Sequence, residues 1–576
     1  MGALSSRTKV LPTLIDPETA WLEPDGVMQM RTAGESPSKN SLWLPLILIA
    51  VTIAALAPFL NKAFHIDDPL FLWMAQQIVK HPVDPYGFSV NWASFPEPIW
   101  QQMQNPPLCS YFIAAVASVV GWSEIALHFA FLFWATMSVL GTFAVARRFC
   151  REPFLATLLT LFTPVFLVSG TNVMCDVMLL AFWIWSIELW LAGLERNRML
   201  LLTVAAVLAA AAALTKYFGI ALVPLLAVYT IVRNGKNWLG LAFLLIPIAA
   251  AAVFERWTKS QYGHGLFTGA MFFARGATKI YGQAAPAQFL IGLAFTGGCL
   301  IALPFYASRL SRKLLVQSLG IGAVCVVLFY LLVPIDPGWA LGQNLLEVRL
   351  EGGLFAAIGA GIIIIAIFDL ARFRSTESLF LFLWLIGTFG FVTFFNWSIT
   401  ARTILPLAPT VAILLVRSFG RVKQPRPHAL AKYGPVFAVA ILSLGVAGAD
   451  YRQANTAREA SRAFEQRFHS DPGKIWFQSH WGFQYYMQQW GATPLNSRDS
   501  EVASGDVIIV PANNTLIIPI PRERVFAPEE VNFSIVPFVA TMGRGTGASF
   551  YSSIRGPVPW AIDRVPPEMY YVARFR

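Results

Sequence analysis

Long apolar runs separated by short polar breaks extend from residue 41 to about residue 450, a pattern that predicts a chain threaded repeatedly through a membrane. Residues 41–61 contain no charged side chain. At about 1.5 Å per residue, such a run crosses a hydrocarbon core of about 30 Å. Further runs follow at about 124–146, 153–170, 174–194, 199–215, 217–232, 238–254, 286–306, 314–333, 352–370, 377–395, 402–416 and 433–449, giving thirteen expected spans. Residues 106–121 are apolar but short, open with Pro106-Pro107 and carry Ser110, Tyr111 and Ser118. They predict a helix lying in the membrane plane, as do residues 70–80. From about Ala454 the pattern changes: strand-like runs at 474–478 and 507–510 flank a helix-like stretch at 482–490, which predicts a small α/β domain outside the membrane. The expected organisation is a flexible cytoplasmic tail at 1–40, a transmembrane region at 41–450 and a soluble domain at 451–576.

Charge sets the orientation. With 106–121 in the membrane plane, the basic clusters at Arg147-Arg148, Arg196 and Arg198, Arg309 to Lys313, Arg372 and Arg374, and 417–432 all fall on one side. The rule that Lys and Arg gather in cytoplasmic loops then puts the N-terminus in the cytoplasm and the C-terminal domain outside. The composition agrees: 56% of the 576 residues are apolar, 13% are charged and the mean hydropathy is +0.57. An ordinary soluble enzyme is excluded, because such chains carry about 25% charged residues. The net charge of +11 is accounted for by the cytoplasmic loops, so nucleic acid is not an expected partner. The five cysteines lie in or beside apolar runs with no metal-ligand spacing and read as small core residues. No GxGxxG, P-loop, HExxH or Ser/His/Asp pattern stands in a suitable context, so no nucleotide cofactor is expected. No internal repeat is visible, which disfavours a transporter of two inverted halves.

The external loop 61–105 is the richest in candidate chemistry. It opens with His65-Ile66-Asp67-Asp68-Pro69, two carboxylates at the foot of a span. Asp68 before Pro69 matches a helix N-cap with proline at the first helical position. Adjacent side chains do not share a face, so a capping Asp68 leaves Asp67 free as general base. Asp84 and Tyr86 sit in the proline-fixed turn His81-Pro82-Val83-Asp84-Pro85-Tyr86, which either positions both as substrate contacts near the same site or is a structural turn, and Asn105 precedes the in-plane helix, as a substrate contact or as its cap. Asp176 opens its span at the outer face, as a partner of the helix dipole or as a ligand for a divalent cation shared with Asp67. Lys216 and Arg402 reach the same face and suit an anionic phosphate, with Arg275, Lys279, Tyr262 and His264 in loop 254–284 as weaker additions. Glu188, deep in its span, reads as a structural hydrogen-bonding group.

These features in this order resemble the GT-C membrane glycosyltransferases of the protein O-mannosyltransferase and lipid-A aminoarabinose transferase group, a family 39-like pattern. The resemblance is carried by Asp67-Asp68, by Asn105-Pro106-Pro107-Leu108, by Gly121-Trp122-Ser123-Glu124, by Asp176, by Leu214-Thr215-Lys216 and by Ala401-Arg402-Thr403-Ile404-Leu405-Pro406. It covers most of the first 420 residues. It implies a polyprenyl-phosphate-linked sugar as donor, reaction at the periplasmic face of a bacterial inner membrane, and a lipid, protein or cell-wall glycan as acceptor. It further implies Asp67 as base, Asp176 in a divalent-metal site (Mg, Mn or Zn), and Lys216 and Arg402 facing the donor phosphate. Two positions depart from the pattern: the acidic motif is commonly Asp-Glu, and Asn105 stands where many relatives have Lys or His. A polyprenol-glycan transporter and a non-catalytic scaffold also fit thirteen spans, but charges in external loops rather than at the membrane midplane favour the transferase.

Overall fold

The computed structural model describes residues 43–103, 105–233, 238–336, 345–419, 429–543 and 545–576; the tail expected at 1–40 lies outside the described residues. The chain is a polytopic α-helical membrane protein carrying a small C-terminal sheet. Seven helices among the described residues are long and apolar enough to cross a membrane, and an eighth crossing arises if one bent pair counts as a single span. The other expected spans are also helical but shorter: Trp43–Phe59, Met199–Thr215, Tyr217–Arg233, Ala285–Cys299 and Leu407–Ser418.

The first helix, α1 (Trp43–Leu56), leads into loop 61–105, where α2 (Asp68–Lys80) and a two-stranded hairpin of β1 (Ser89–Asn91) and β2 (Pro96–Pro98) precede α3 (Leu108–Val120). Helix α4 (Glu124–Phe149) starts where the Ser123 hydroxyl accepts from the Ala126 amide at 3.3 Å. Glu124 in its first turn and Arg147-Arg148 in its last both complement the helix dipole. The bent pair is α5 (Pro153–Leu161) and α6 (Pro164–Gly170), which meet at 62°. Pro164 has no N–H to continue the helical ladder, and the Thr163 hydroxyl caps the new helix by accepting from Phe166 at 3.2 Å. Helices α7 (Asp176–Arg196) and α8 (Met199–Thr215) form a hairpin behind them.

The bundle continues through α9 (Leu222–Arg233), α10 (Leu245–Tyr262), the surface helix α11 (Leu266–Tyr281), α12 (Ala285–Cys299), α13 (Arg312–Leu332), α14 (Leu345–Phe373), α15 (Thr376–Gly390) and α16 (Leu407–Ser418). Helices α12 and α14 touch backbone to backbone: a methyl on Gly297 would stand 1.9 Å from the Phe355 carbonyl oxygen.

Helix α17 (Ala429–Phe468) runs without a break past residue 450, and its second half packs through Phe464 on the C-terminal sheet. The sheet comprises β3 (Ile475–Phe477), β4 (Thr493–Pro494), β5 (Val507–Pro511), β6 (Val525–Phe533) and β7 (Glu568–Phe575), in the order β4-β3-β5-β7-β6. Strand β3 is parallel to β4 and β5, and β7 is antiparallel to β5 and β6. Helix α18 (Trp481–Gln489) stands where a helix-like stretch is expected. The segment between β6 and β7 leaves the sheet: Ala540, Phe550, Tyr551 and Trp560 belong to the core of the helical bundle, and the Trp560 indole donates to the Gly298 carbonyl at 2.8 Å.

Candidate active site

The acidic pair is divided by its backbone. Ile66 has a φ of +48°, a conformation strained for a β-branched residue, and it precedes the turn that separates the two carboxylates. The expected cap by Asp68 is not formed. Asp67 occupies the N-cap position but its side chain accepts no bond from the helix, and Asp68 is the first helical residue, followed by Pro69. The Asp68 carboxylate turns back to accept from the His65 amide at 2.8 Å and reaches across to the Val173 amide at 2.9 Å. Asp68 therefore ties loop 61–105 to the turn before α7, because a buried carboxylate needs donors more than a capped amide needs it. Burial pushes the Asp68 carboxyl up to about 7, against the two amides and Lys62, and pushes the neighbouring His65 imidazole down to about 4, which keeps it neutral.

Asp67 points the other way. Its Oδ2 accepts from Arg402 Nη2 at 2.6 Å. Arg402 sits in a single turn, Ala401–Ile404, started by the Thr400 hydroxyl accepting from the Thr403 amide at 3.2 Å. The other arm of the guanidinium, Nη1, lies 2.6 Å from Met174 Sδ and 3.8 Å from Asp176 Oδ2. Asp176 opens α7, and its Oδ1 accepts from Lys216 Nζ at 2.8 Å, just past the end of α8. Four residues expected at one face are thus a continuous chain, Asp67-Arg402-Asp176-Lys216. Asp176 is 2% exposed and Asp67 31%, so the open end of the chain is the carboxylate of Asp67. Two buried polar atoms in it, Asp176 Oδ2 and Arg402 Nε, have no hydrogen-bond partner. Unmet capacity of this kind is where an oxyanion or hydroxyl ligand binds.

A divalent ion does not fit here. Arg402 is bonded to one carboxylate and adjoins the other, where an ion shared by Asp67 and Asp176 would have to stand. No three His, Cys, Asp or Glu side chains converge as a ligand set among the described residues. The cationic charge at this site comes from Arg402 and Lys216.

Beneath the chain lies a buried network absent from the sequence expectations. Lys62 Nζ donates to Asp450 Oδ2 and Asn172 Oδ1, each at 2.5 Å, with both ionic side chains fully buried. Asp450 also accepts from the Thr541 hydroxyl at 2.9 Å and from the Tyr551 hydroxyl at 3.0 Å. The Tyr551 ring stands under Arg402, its centroid 5.4 Å from the guanidinium carbon. The only local signal for this network is a charge at each end of two apolar runs, Lys62 and Asp450. The C-terminal region also closes on the loop before Asp67. A methyl on Gly482 would stand 2.0 Å from the Phe64 carbonyl oxygen, and the Phe64 amide donates to the Tyr486 hydroxyl at 2.8 Å.

The remaining candidates gather elsewhere. Asp84 accepts from the Tyr262 hydroxyl at 2.8 Å, Tyr86 is buried with its hydroxyl donating to the Asn105 carbonyl at 2.9 Å, and the Tyr86 and Tyr262 rings meet edge to face at 5.6 Å. Asn105 does not cap α3, whose N-cap position is Pro107. Arg275 is exposed on α11, with no hydrogen bond or ion pair to the four-residue chain. Glu188 takes a bidentate bond from Arg148 at 2.6 and 2.7 Å, the structural role expected of it. All five cysteines are buried and unpaired.

Residues 104–257 match the family model described as dolichyl-phosphate-mannose-protein mannosyltransferase, a stretch that holds Asp176 and Lys216. The chain is similar to solved structures of GT-C enzymes. One is ArnT from Cupriavidus metallidurans bound to undecaprenyl phosphate, at 12% identity over 83% of this chain and 94% of that one, with a TM-score of 0.44. Another is the oligosaccharyltransferase AglB from Archaeoglobus fulgidus in complex with an inhibitory peptide and a dolichol-phosphate, at 12% identity over 79% of this chain and 64% of that one, with a TM-score of 0.45. No curated protein sequence matches the chain. The family model meets the resemblance over residues 104–257, a stretch that does not include Asp67-Asp68 or Arg402.

Proposed function

We propose that this protein is a glycosyltransferase that moves a sugar from a polyprenyl-phosphate donor to an acceptor at the periplasmic face of the bacterial inner membrane, with inversion at the anomeric carbon. The observation that carries the reading is the Asp67-Arg402-Asp176-Lys216 chain, which sets one partly open carboxylate beside two cations. Asp67 takes the proton of the acceptor hydroxyl or amine as that atom bonds to the anomeric carbon. The bond between the anomeric carbon and the phosphate oxygen breaks, its electron pair stays on the lipid phosphate, and Arg402 and Lys216 stabilise the charge that develops there. No covalent enzyme intermediate is required. The isoprenoid tail enters sideways between helices, because passage through water would expose its apolar surface.

The resting pairing adds an order of events. Arg402 lies on Asp67 at 2.6 Å, so the base is engaged before the donor arrives. A lipid phosphate competing for the guanidinium releases Asp67 at the moment a leaving group is in place, which couples activation of the base to donor binding. Asp68, with both oxygens bonded to amides, positions the loop rather than meeting substrate. The test is transfer of radiolabelled sugar from a panel of polyprenyl-phosphate donors by full-length protein in membranes. Wild type transfers, and Asp67→Asn lowers the rate about 10³-fold while inserting normally. Sugar transfer unchanged in Asp67→Asn sinks the assignment of the base. Lipid translocation without transfer moves the reading to a transporter.

A further inference from the structure

Arg402 is held at its edge by Asp67, Asp176 and Met174 Sδ, and its Nε has no hydrogen-bond partner. A further contact comes from an aromatic ring. The Tyr551 ring lies 5.4 Å from the guanidinium carbon, within the range of an attractive cation–π contact. That ring is itself fixed at its far end. Its hydroxyl lies 3.1 and 3.0 Å from the two Asp450 oxygens and accepts from Asn172 Nδ2 at 3.1 Å. Lys62 neutralises Asp450 and bonds the same asparagine. Fully buried charges without such partners are strongly destabilising, so the group forms as a unit and gives Tyr551 one orientation. The backbone adds a second hold: the Ala401 amide donates to the Phe550 carbonyl at 2.9 Å, and the Ser553 amide to the Ile399 carbonyl at 2.8 Å.

We infer that Tyr551 is a positioning residue for the transfer reaction, acting through Arg402, and that the segment between β6 and β7 thereby belongs to the catalytic centre rather than to acceptor recognition alone. The inference rests on the reading of Arg402 as the ligand of the donor phosphate. Tyr551 is buried and acts at one remove. It sets the plane in which the guanidinium presents its N–H groups, and a planar fork loses its geometric advantage when it tilts. A lysine has no plane to set, so the effect of Tyr551 depends on arginine at position 402.

The experiment is a double-mutant cycle on full-length protein in lipid nanodiscs, using wild type, Tyr551→Leu, Arg402→Lys and the pair. The probes are affinity for undecaprenyl phosphate and the rate of sugar transfer. Tyr551→Leu weakens binding about tenfold in the presence of Arg402, and changes it less than twofold on the Arg402→Lys background. The same tenfold loss on both backgrounds overturns the inference, because an effect independent of Arg402 is general destabilisation. If the leucine variant does not fold, Tyr551→Phe replaces it in the cycle: an unanchored ring costs about threefold with Arg402 and nothing in Arg402→Lys, and equal losses overturn the inference. Wild-type protein that binds no polyprenyl phosphate overturns the donor reading instead. The coupling of Tyr551 to Arg402 is then read from the melting temperatures of the same four proteins, where additivity overturns it.

Discussion

Arg402 and Arg417 stand at the two ends of one stretch of chain, the turn before α16 and the last turn of α16, and both are drawn into ion pairs, but they are bonded in opposite ways. Arg417 is saturated: Nε and Nη2 grip the two oxygens of Asp369 at 2.8 and 3.1 Å, Nη2 also reaches the Ser378 hydroxyl at 2.8 Å, and Nη1 donates to the Phe149 carbonyl at 2.8 Å. Arg402 has one short bond to oxygen, a sulfur contact, a carboxylate oxygen at 3.8 Å and an unmatched Nε. A residue kept for stability satisfies every arm inside the fold. A residue kept for a ligand leaves arms unmet at some cost, and the unmet arm of Arg402 belongs to a guanidinium bonded to the part-exposed carboxylate of Asp67.

The same substitution at both positions breaks or confirms the contrast. Arg417→Met strands the buried Asp369 carboxylate and is expected to cost about 3–5 kcal/mol of stability, seen as a fall in melting temperature and yield, with transfer per folded molecule near wild type. Arg402→Met is expected to lower transfer at least about 100-fold with little change in melting temperature, because Asp67 is open to water and Asp176 keeps Lys216. Equal losses of stability at the two sites would erase the distinction.

A pH series sharpens it next. The Asp68 carboxyl titrates at about 7 when folded, against an ordinary value of 3.8. The folded state therefore holds a proton that the unfolded chain has released. This contribution to stability is full below about 3.8 and is lost as the pH rises through about 7. Asp68→Asn, which cannot ionise, should flatten the part of the melting curve that falls between those values, and an unchanged slope rules out Asp68 as its source. The smallest effect is expected at Tyr262→Phe, which removes the 2.8 Å bond to Asp84: transfer within about threefold of wild type, since neither residue bonds to the Asp67-Arg402-Asp176-Lys216 chain and the lost bond weakens the fold rather than the reaction. A loss as large as that of Arg402→Met would bring that pair into the centre.

Much of the architecture is legible in the apolar runs, because span length and loop charge are local properties of the sequence. Asp67, Asp176, Lys216 and Arg402 are legible for the same reason: each stands near the end of an apolar run, and the alternation of crossings puts those ends on one face. Their linkage is not legible, since Asp67 and Arg402 meet across most of the chain. Lys62 reads as an ordinary charge at a membrane surface, and its partner Asp450 lies at the far end of the last apolar run. Tyr551 is one aromatic in a domain whose rings read as core, and nothing in its neighbourhood announces a guanidinium above it. Asp-Pro is a local signal for a capping Asp68, but neither aspartate side chain caps α2: the amides that hold Asp68 are those of His65 and of Val173, and the second comes from another loop. Arg275 shares the outer side with the other cations, but side alone does not place a residue within reach.

The strand order of the C-terminal sheet bears on how the molecule is made. Strand β7 lies between β5 and β6, so a ribosome completes both outer neighbours before the strand that joins them exists. The loop bearing Arg402 waits equally long for residues 550–553, its backbone partners. The helices can enter the bilayer in sequence while the chain emerges, but the reactive face closes only after synthesis has passed residue 575. On the proposed reading of Arg402, a molecule cut before residue 550 is expected to insert its helices and to transfer no sugar.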